Sequence, residues 1–244
     1  MKTRSFISMI MLVIVFAGIS CIAYACQQFG DVHGNGKVVK QTRVVSNFDG
    51  LEISGAFDVI LRQGDPEEVI VEADENLLPL ITTEVHGTTL VIDNKKSINN
   101  PTTLKVYITF KDIKKIETSG AADILAETRL TLSELSLHTS GASSITMGLA
   151  VQKLGLDCSG ACKLKLAGTA VDVDADFSGA CNVFAFDLIC ENFKIDLSGA
   201  GKAQIHVTKK IDAEISGAGS VHYKGNPTMV NQSVSGAGAI KKVE

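Results

Sequence analysis

One tripeptide, Ser-Gly-Ala, occurs eight times in 244 residues, beginning at Ser54, Ser119, Ser140, Ser159, Ser178, Ser198, Ser216 and Ser235. The last seven copies follow one another at 21, 19, 19, 20, 18 and 19 residues. A fixed recurrence of this length marks a repeat architecture, in which one unit buries its apolar face only by stacking on the next. The tripeptide glycines Gly55, Gly120, Gly141, Gly160, Gly179, Gly199, Gly217 and Gly236, with Gly201, Gly219 and Gly238 shortly after three of them, make up 11 of the 22 glycines. The glycine excess therefore belongs to a structural device, not to linkers.

Aligned on the Ser, the copies alternate with period two. The position before the Ser is mostly apolar (Ile53, Thr118, Thr139, Cys158, Phe177, Leu197, Ile215, Val234), and the position two before it is polar (Glu52, Glu117, His138, Asp157, Asp176, Asp196, Glu214, Ser233). Five places after the Ser the residue is always apolar, from Val59 to Ile240. This is the pattern of strands with one buried face, and no copy shows a helical period. Three short strands at about 3.3 Å per residue, with small-residue corners, consume roughly 18 to 20 residues, one coil of a parallel β-solenoid. The expected fold is all-β, with Gly at corners where the backbone turns sharply and the next coil passes close by. A ladder of buried corner serines, hydrogen-bonded to backbone, is expected as well. Only 4 prolines interrupt the chain, in keeping with continuous strand pairing.

The gap of 65 residues between Ser54 and Ser119 has room for about three coils that have lost the tripeptide, giving roughly ten coils in all. Residues 44–110 read as irregular N-terminal coils and 111–244 as regular ones. Gly64-Asp65-Pro66 marks a turn, Glu72 to Pro79 a loop or one helical turn, and Asn94 to Pro101 a polar loop, with strand-like runs at Glu68 to Val71, Thr89 to Ile92 and Leu104 to Phe110. Residues 26–43 look like a tether.

The N-terminus reads as an address. Lys2 and Arg4 precede an apolar run from Ile7 to Ile19, which is short for a membrane span and suited to a signal peptide covering residues 1–25. Ala23-Tyr24-Ala25 offers a cleavage site before Cys26; alternatively Cys21 or Cys26 is the lipid-bearing residue of a lipoprotein. The expected location is periplasm, outer membrane or cell surface. With both basic residues of the segment removed, 21 Lys and Arg face 27 Asp and Glu, a net charge of −6 that argues against a nucleic-acid partner.

The run Phe48-Asp49-Gly50-Leu51-Glu52-Ile53-Ser54-Gly55-Ala56-Phe57-Asp58-Val59, then Gly64-Asp65, Val71-Glu72-Ala73-Asp74-Glu75-Asn76 and the later Ser-Gly-Ala series, resembles the head GIN domain family of auto-transporter adhesins, from about Val38 onward. The resemblance implies a right-handed parallel β-helix in an exported envelope protein of Bacteroidetes type, often a lipoprotein, without enzymatic activity. The chain shows no run of ten-residue alternating strands of the kind that forms a membrane barrel after its last repeat.

Candidate chemistry is sparse. Asp157, Asp176, Asp196 and Glu214 are expected to stack about 4.8 Å apart on one outer face. They read first as a solvated charged face, partly neutralised by Lys115 and Lys194, and only weakly as a Ca²⁺ row. The alternating Asp172, Asp174 and Asp176 read the same way. Cys162 and Cys181 share one repeat position, three after the Ser, and read as small corner residues; Cys158 and Cys190 stand close in sequence, so a disulfide stays open while a zinc site lacks a matched His. His33, His86, His138, His206 and His222 show no ligand spacing, and no nucleophile elbow or phosphate loop is present. The chain thus reads as a cofactor-free binding, adhesion-like or scaffolding module for an envelope or extracellular glycan or protein. The rival reading is a β-helix carbohydrate-active enzyme, a lyase or hydrolase.

Overall fold

The computed structural model describes residues 31–244. The segment 1–25 with Cys21, and also Cys26, lies outside the described residues. Strands β1 (Val32–His33), β2 (Val38–Arg43), β3 (Gly50–Gly55), β4 (Asp58–Gln63), β5 (Glu68–Asp74), β6 (Ile81–His86), β7 (Thr89–Asn94), β8 (Ile98–Asn99) and β9 (Leu104–Phe110) form the N-terminal part, with one 3-10 turn at Leu78–Leu80. The regular part comprises β10 (Lys115–Gly120), β11 (Asp123–Ala126), β12 (Leu130–Gly141), β13 (Ser144–Gly160), β14 (Lys163–Gly179), β15 (Asn182–Gly199), β16 (Lys202–Gly217), β17 (Ser220–Lys224), β18 (Met229–Gly236) and β19 (Ala239–Lys242).

All eight tripeptides stack in register. Ser54 pairs with Ser119, Ser119 with Ser140, and so on through Ser159, Ser178, Ser198 and Ser216 to Ser235, each across a parallel ladder. The fold is the stacked parallel β-solenoid that the 19-residue period demands. Buried and exposed residues alternate along each strand: β14 reads Leu164, Leu166, Val173, Ala175 and Phe177 inward and Lys163, Lys165, Asp172, Asp174 and Asp176 outward. The inward residues form one continuous apolar core from Phe48 to Val221.

The corner is itself a ladder. The Ala amide of each later tripeptide donates to the Gly carbonyl one coil earlier, from Ala121 N to Gly55 O (3.0 Å) through Ala237 N to Gly217 O (2.9 Å). For this the Gly residues take φ between 106° and 142°, which side chains disfavour. The backbones also approach closely: a Cβ placed on Gly217 would lie 2.6 Å from Gly199 O.

Three expectations are corrected. The corner serines are not buried; Ser119 through Ser235 are exposed, because the residue before each points inward and strand alternation then turns the Ser outward. Ser54 Oγ and Ser119 Oγ meet each other at 3.0 Å, while Ser140 Oγ reaches Thr118 O at 3.4 Å. Nor does the 65-residue gap insert three coils, since β3 and β4 stack directly on β10 and β11. The intervening chain instead returns to the other side of β3 and β4, where β7 and β9 add one more parallel layer. Antiparallel strands then close that end, β6 on β7, β5 on β9 and β2 on β5. The stretch 26–43 is not simply a tether, for β2 belongs to this cap and Lys40 lies 4.8 Å over the Tyr107 ring, whose hydroxyl donates to Glu72 (2.7 Å).

Candidate binding faces and the thiol corner

Because the coils stack in register, outward residues become rows. The row two places before the Ser runs Glu52, Glu117, His138, Asp157, Asp176, Asp196 and Glu214, as the period predicts. Carboxylates at a spacing of about 4.8 Å repel, and two members of the row have a neighbour that offsets this. Lys115 pairs with Glu117 at 2.8 Å, and His138 Nδ1 lies 3.3 Å from Asp157 Oδ2. Among the described residues these carboxylates do not converge as a metal-binding group; Cys158, Cys162 and Cys181 do.

Beside this row run two others of mixed charge. Lys153, Asp172, Asn192 and Lys210 stack in one, and Gly155, Asp174, Lys194 and Asp212 in the next. Together they line an open depression of about 440 Å³. Several of its polar groups pair with one another: Lys194 with Asp174 at 3.4 Å, Lys210 with Asp212 at 3.5 Å, and Asn192 Nδ2 donating to Asp172 at 2.8 Å. Lys194 thus neutralises Asp174, not the Asp196 row. A face of different chemistry carries Thr131, Ala150, Thr169 and Ile189 in register above a depression of about 430 Å³.

His138 has a partner that spacing alone does not reveal. Ser136 Oγ lies 2.9 Å from His138 Nε2, so Ser136, His138 and Asp157 form a chain of hydrogen bonds in the order of a nucleophile relay. A relay also needs donors for the developing oxyanion. Here the Ser136 N–H is committed to Lys114 O (2.8 Å) and its neighbours lie within the β12 ladder. The chain therefore ties polar side chains across two coils.

Inside the corner, the residue before one Ser faces the residue three after the Ser of the next coil. Thr118 Oγ1 meets Ser143 Oγ at 3.2 Å, and Thr139 Oγ1 meets Cys162 Sγ at 2.8 Å. Cys181 Sγ donates to Cys158 O at 3.4 Å. In the later coils large apolar residues take the first position, and only Gly fits opposite them. A Cβ on Gly238 would lie 2.6 Å from Ile215 Cγ2, and one on Gly219 would overlap Leu197 Cδ2. Cys162 and Cys181 are thus small corner residues, as expected, but they are also brought together with Cys158. The three sulfurs lie within 4.8 Å of one another, all buried. Hydrogen bonding from Cys158 and then Cys181 draws the Cys162 thiol down, while the shared proton pushes Cys158 up. Cys190 stands apart, its thiol directed at His206 O (3.1 Å) and pushed up to about 12 by burial.

Sequence reasoning passed over Asp74. This carboxylate is fully buried and accepts from Gly36 N (2.7 Å), Thr102 N (2.8 Å) and Thr102 Oγ1 (2.9 Å), pinning the cap. Its one signal was a charged residue immediately after the alternating run that ends at Ala73.

Comparison with known proteins agrees with this geometry. The family described as "Putative auto-transporter adhesin, head GIN domain" matches residues 47–227. No curated protein matches the chain. A "putative adhesin" of known structure from Bacteroides fragilis is similar over 87% of this chain and 100% of its own, with 26% identity and a TM-score of 0.84. A "putative adhesin" from Parabacteroides merdae is similar over 88% and 99%, with 25% identity and a TM-score of 0.68. A "putative lipid binding protein" from Parabacteroides distasonis shares the fold over 88% and 100%, with 24% identity and a TM-score of 0.73.

Proposed function

The chain belongs to the head GIN domain family, and from that membership we propose that it is an exported, non-catalytic, adhesin-like module that binds an envelope or extracellular glycan or protein along its mixed-charge face. The observation that carries this reading is the stacking of Lys153, Asp172, Asn192 and Lys210 beside Asp174, Lys194 and Asp212 on one open surface. Donors and acceptors repeating about every 4.8 Å match an extended polymer laid along the stack, whose own groups also repeat. The side chains project from paired strands, so little ordering entropy is lost when a ligand settles on them. Export rests on the basic residues and apolar run of residues 1–25, with cleavage before Cys26 or lipid on Cys21 or Cys26. Among the described residues no helix is long and apolar enough to cross a membrane.

A glycan and matrix-protein array probed with the purified chain tests the binding role. Lys194→Glu with Lys210→Glu is expected to lower the signal for the bound ligand at least tenfold without loss of folding. Binding unchanged in that variant would remove the mixed-charge face from the account. Intact mass of the exported form reads the N-terminus, expected at Cys26 or at a lipid-bearing Cys.

A further inference from the structure

The thiol corner is the place in the core where chemistry exceeds what packing requires. Of the four buried polar residues among the described residues, Thr118, Thr139 and Ser143 lie in this one corner, next to the three thiols. The corner position three after the Ser accepts Ala122, Ser143, Gly201, Gly219 or Gly238 in other coils, so packing alone does not call for sulfur there. Yet Cys162 and Cys181 occupy it in adjacent coils, and Cys158 occupies the facing position of the first.

We propose that Cys158, Cys162 and Cys181 form a buried site for a soft monovalent metal ion, Cu(I). Thiolate and thiol sulfur select soft ions over the hard cations that the acidic rows would attract. Three sulfurs around an ion at about 2.3 Å stand about 4.0 Å apart. The corner, with its sulfurs within 4.8 Å, needs a contraction of less than about 1 Å to reach that geometry. Charge decides against a divalent ion. One thiolate and one monovalent ion make a neutral group, which a buried corner tolerates, whereas zinc brings a second charge and takes four ligands where three converge. In the binding step the Cys162 S–H bond breaks, its proton passes to solvent and a sulfur–copper bond forms. Cys158 and Cys181 add sulfur lone pairs, and no atom is oxidised or reduced. Thr139, 2.8 Å from Cys162 Sγ, directs its hydroxyl at the thiolate.

The purified full-length chain, reduced and kept anaerobic, is titrated with Cu(I) against a competing Cu(I) chelator, with parallel titrations using Zn(II). The expected result is one Cu(I) per chain, with a sulfur-only first shell by X-ray absorption and at least a hundredfold preference over Zn(II). Cys162→Ser and Cys181→Ala, residues that sister coils already place at this position, are each expected to weaken Cu(I) binding at least tenfold while circular dichroism stays unchanged. Cys190→Ala keeps full binding. The proposal is overturned if the reduced wild-type chain binds no Cu(I), if Zn(II) binds as tightly, if Cys162→Ser binds equally well, or if the isolated protein is 2 Da light because two of these thiols have joined in a disulfide.

Discussion

Two neighbours within one tripeptide make opposite demands. Gly217 holds a φ of 134° with Gly199 O 2.6 Å from where its Cβ would be, whereas Ser216 faces solvent. Gly217→Ala is therefore expected to destabilise the chain by about 2–3 kcal/mol in denaturant titration, and Ser216→Ala by no more than about 0.5 kcal/mol. Asp74 adds a pH dependence. Burial alone raises its pKa, but hydrogen bonds from the Thr102 backbone and hydroxyl and from Gly36 more than offset this and leave it below the ordinary value of 3.8. A carboxylate with a depressed folded pKa stabilises fully above its unfolded pKa and loses that contribution as pH falls through the folded one. Hydrogen exchange in β2 and β5, taken relative to the intrinsic rate at each pH, is accordingly expected to rise below about pH 4 in the wild type. In Asp74→Asn it is expected to be raised already at neutral pH; a cap equally protected in that variant would contradict the role given to Asp74. The outward Ser could be inferred from parity, because its predecessor is apolar. Asp74 could not, because Gly36 and Thr102 stand 38 and 28 residues away in sequence.

At the scale of the element, coils are matched pair by pair across the corner. Leu197 fills the space that the missing side chain of Gly219 leaves. Gly219→Ala alone is expected to cost about 1–3 kcal/mol by overpacking, and Leu197→Ala about 2–5 kcal/mol by cavity formation. In the double variant each change relieves the other, so a coupling of about 1 kcal/mol is expected from a denaturation cycle, and strict additivity would refute the pairing. The rows of outward residues were legible from the spacing alone, including Asp157, Asp176, Asp196 and Glu214. The facing of one coil's residue before Ser with the next coil's residue after it was not, because that contact crosses a corner whose turn geometry period-two patterning does not encode. The meeting of Cys158 with Cys162 and Cys181 stayed hidden for the same reason.

Across the whole molecule the two ends differ. The N-terminal end is closed by β2, β5 and β6, while among the described residues β18 is exposed along its whole length and has only β16 beside it in register. Amides of β18 and β19 are therefore expected to exchange faster than those of β14 and β15, which have neighbours on both sides. Lys241 and Lys242 sit on this open edge, where charge discourages pairing with other chains. The repeating half was readable because one motif per coil marks the stack. The other half was not, because the chain between Gln63 and Lys115 adds its layer to the far side of β3 and so breaks the link between sequence order and stacking order. The most direct test of the single column of eight corners is the distance between spin labels placed at the outward positions Ser54 and Ser235 in a folded chain. Seven coil intervals predict about 34 Å between the backbones, and about 48 Å, the span of ten intervals, would show that further coils separate the first corner from the rest.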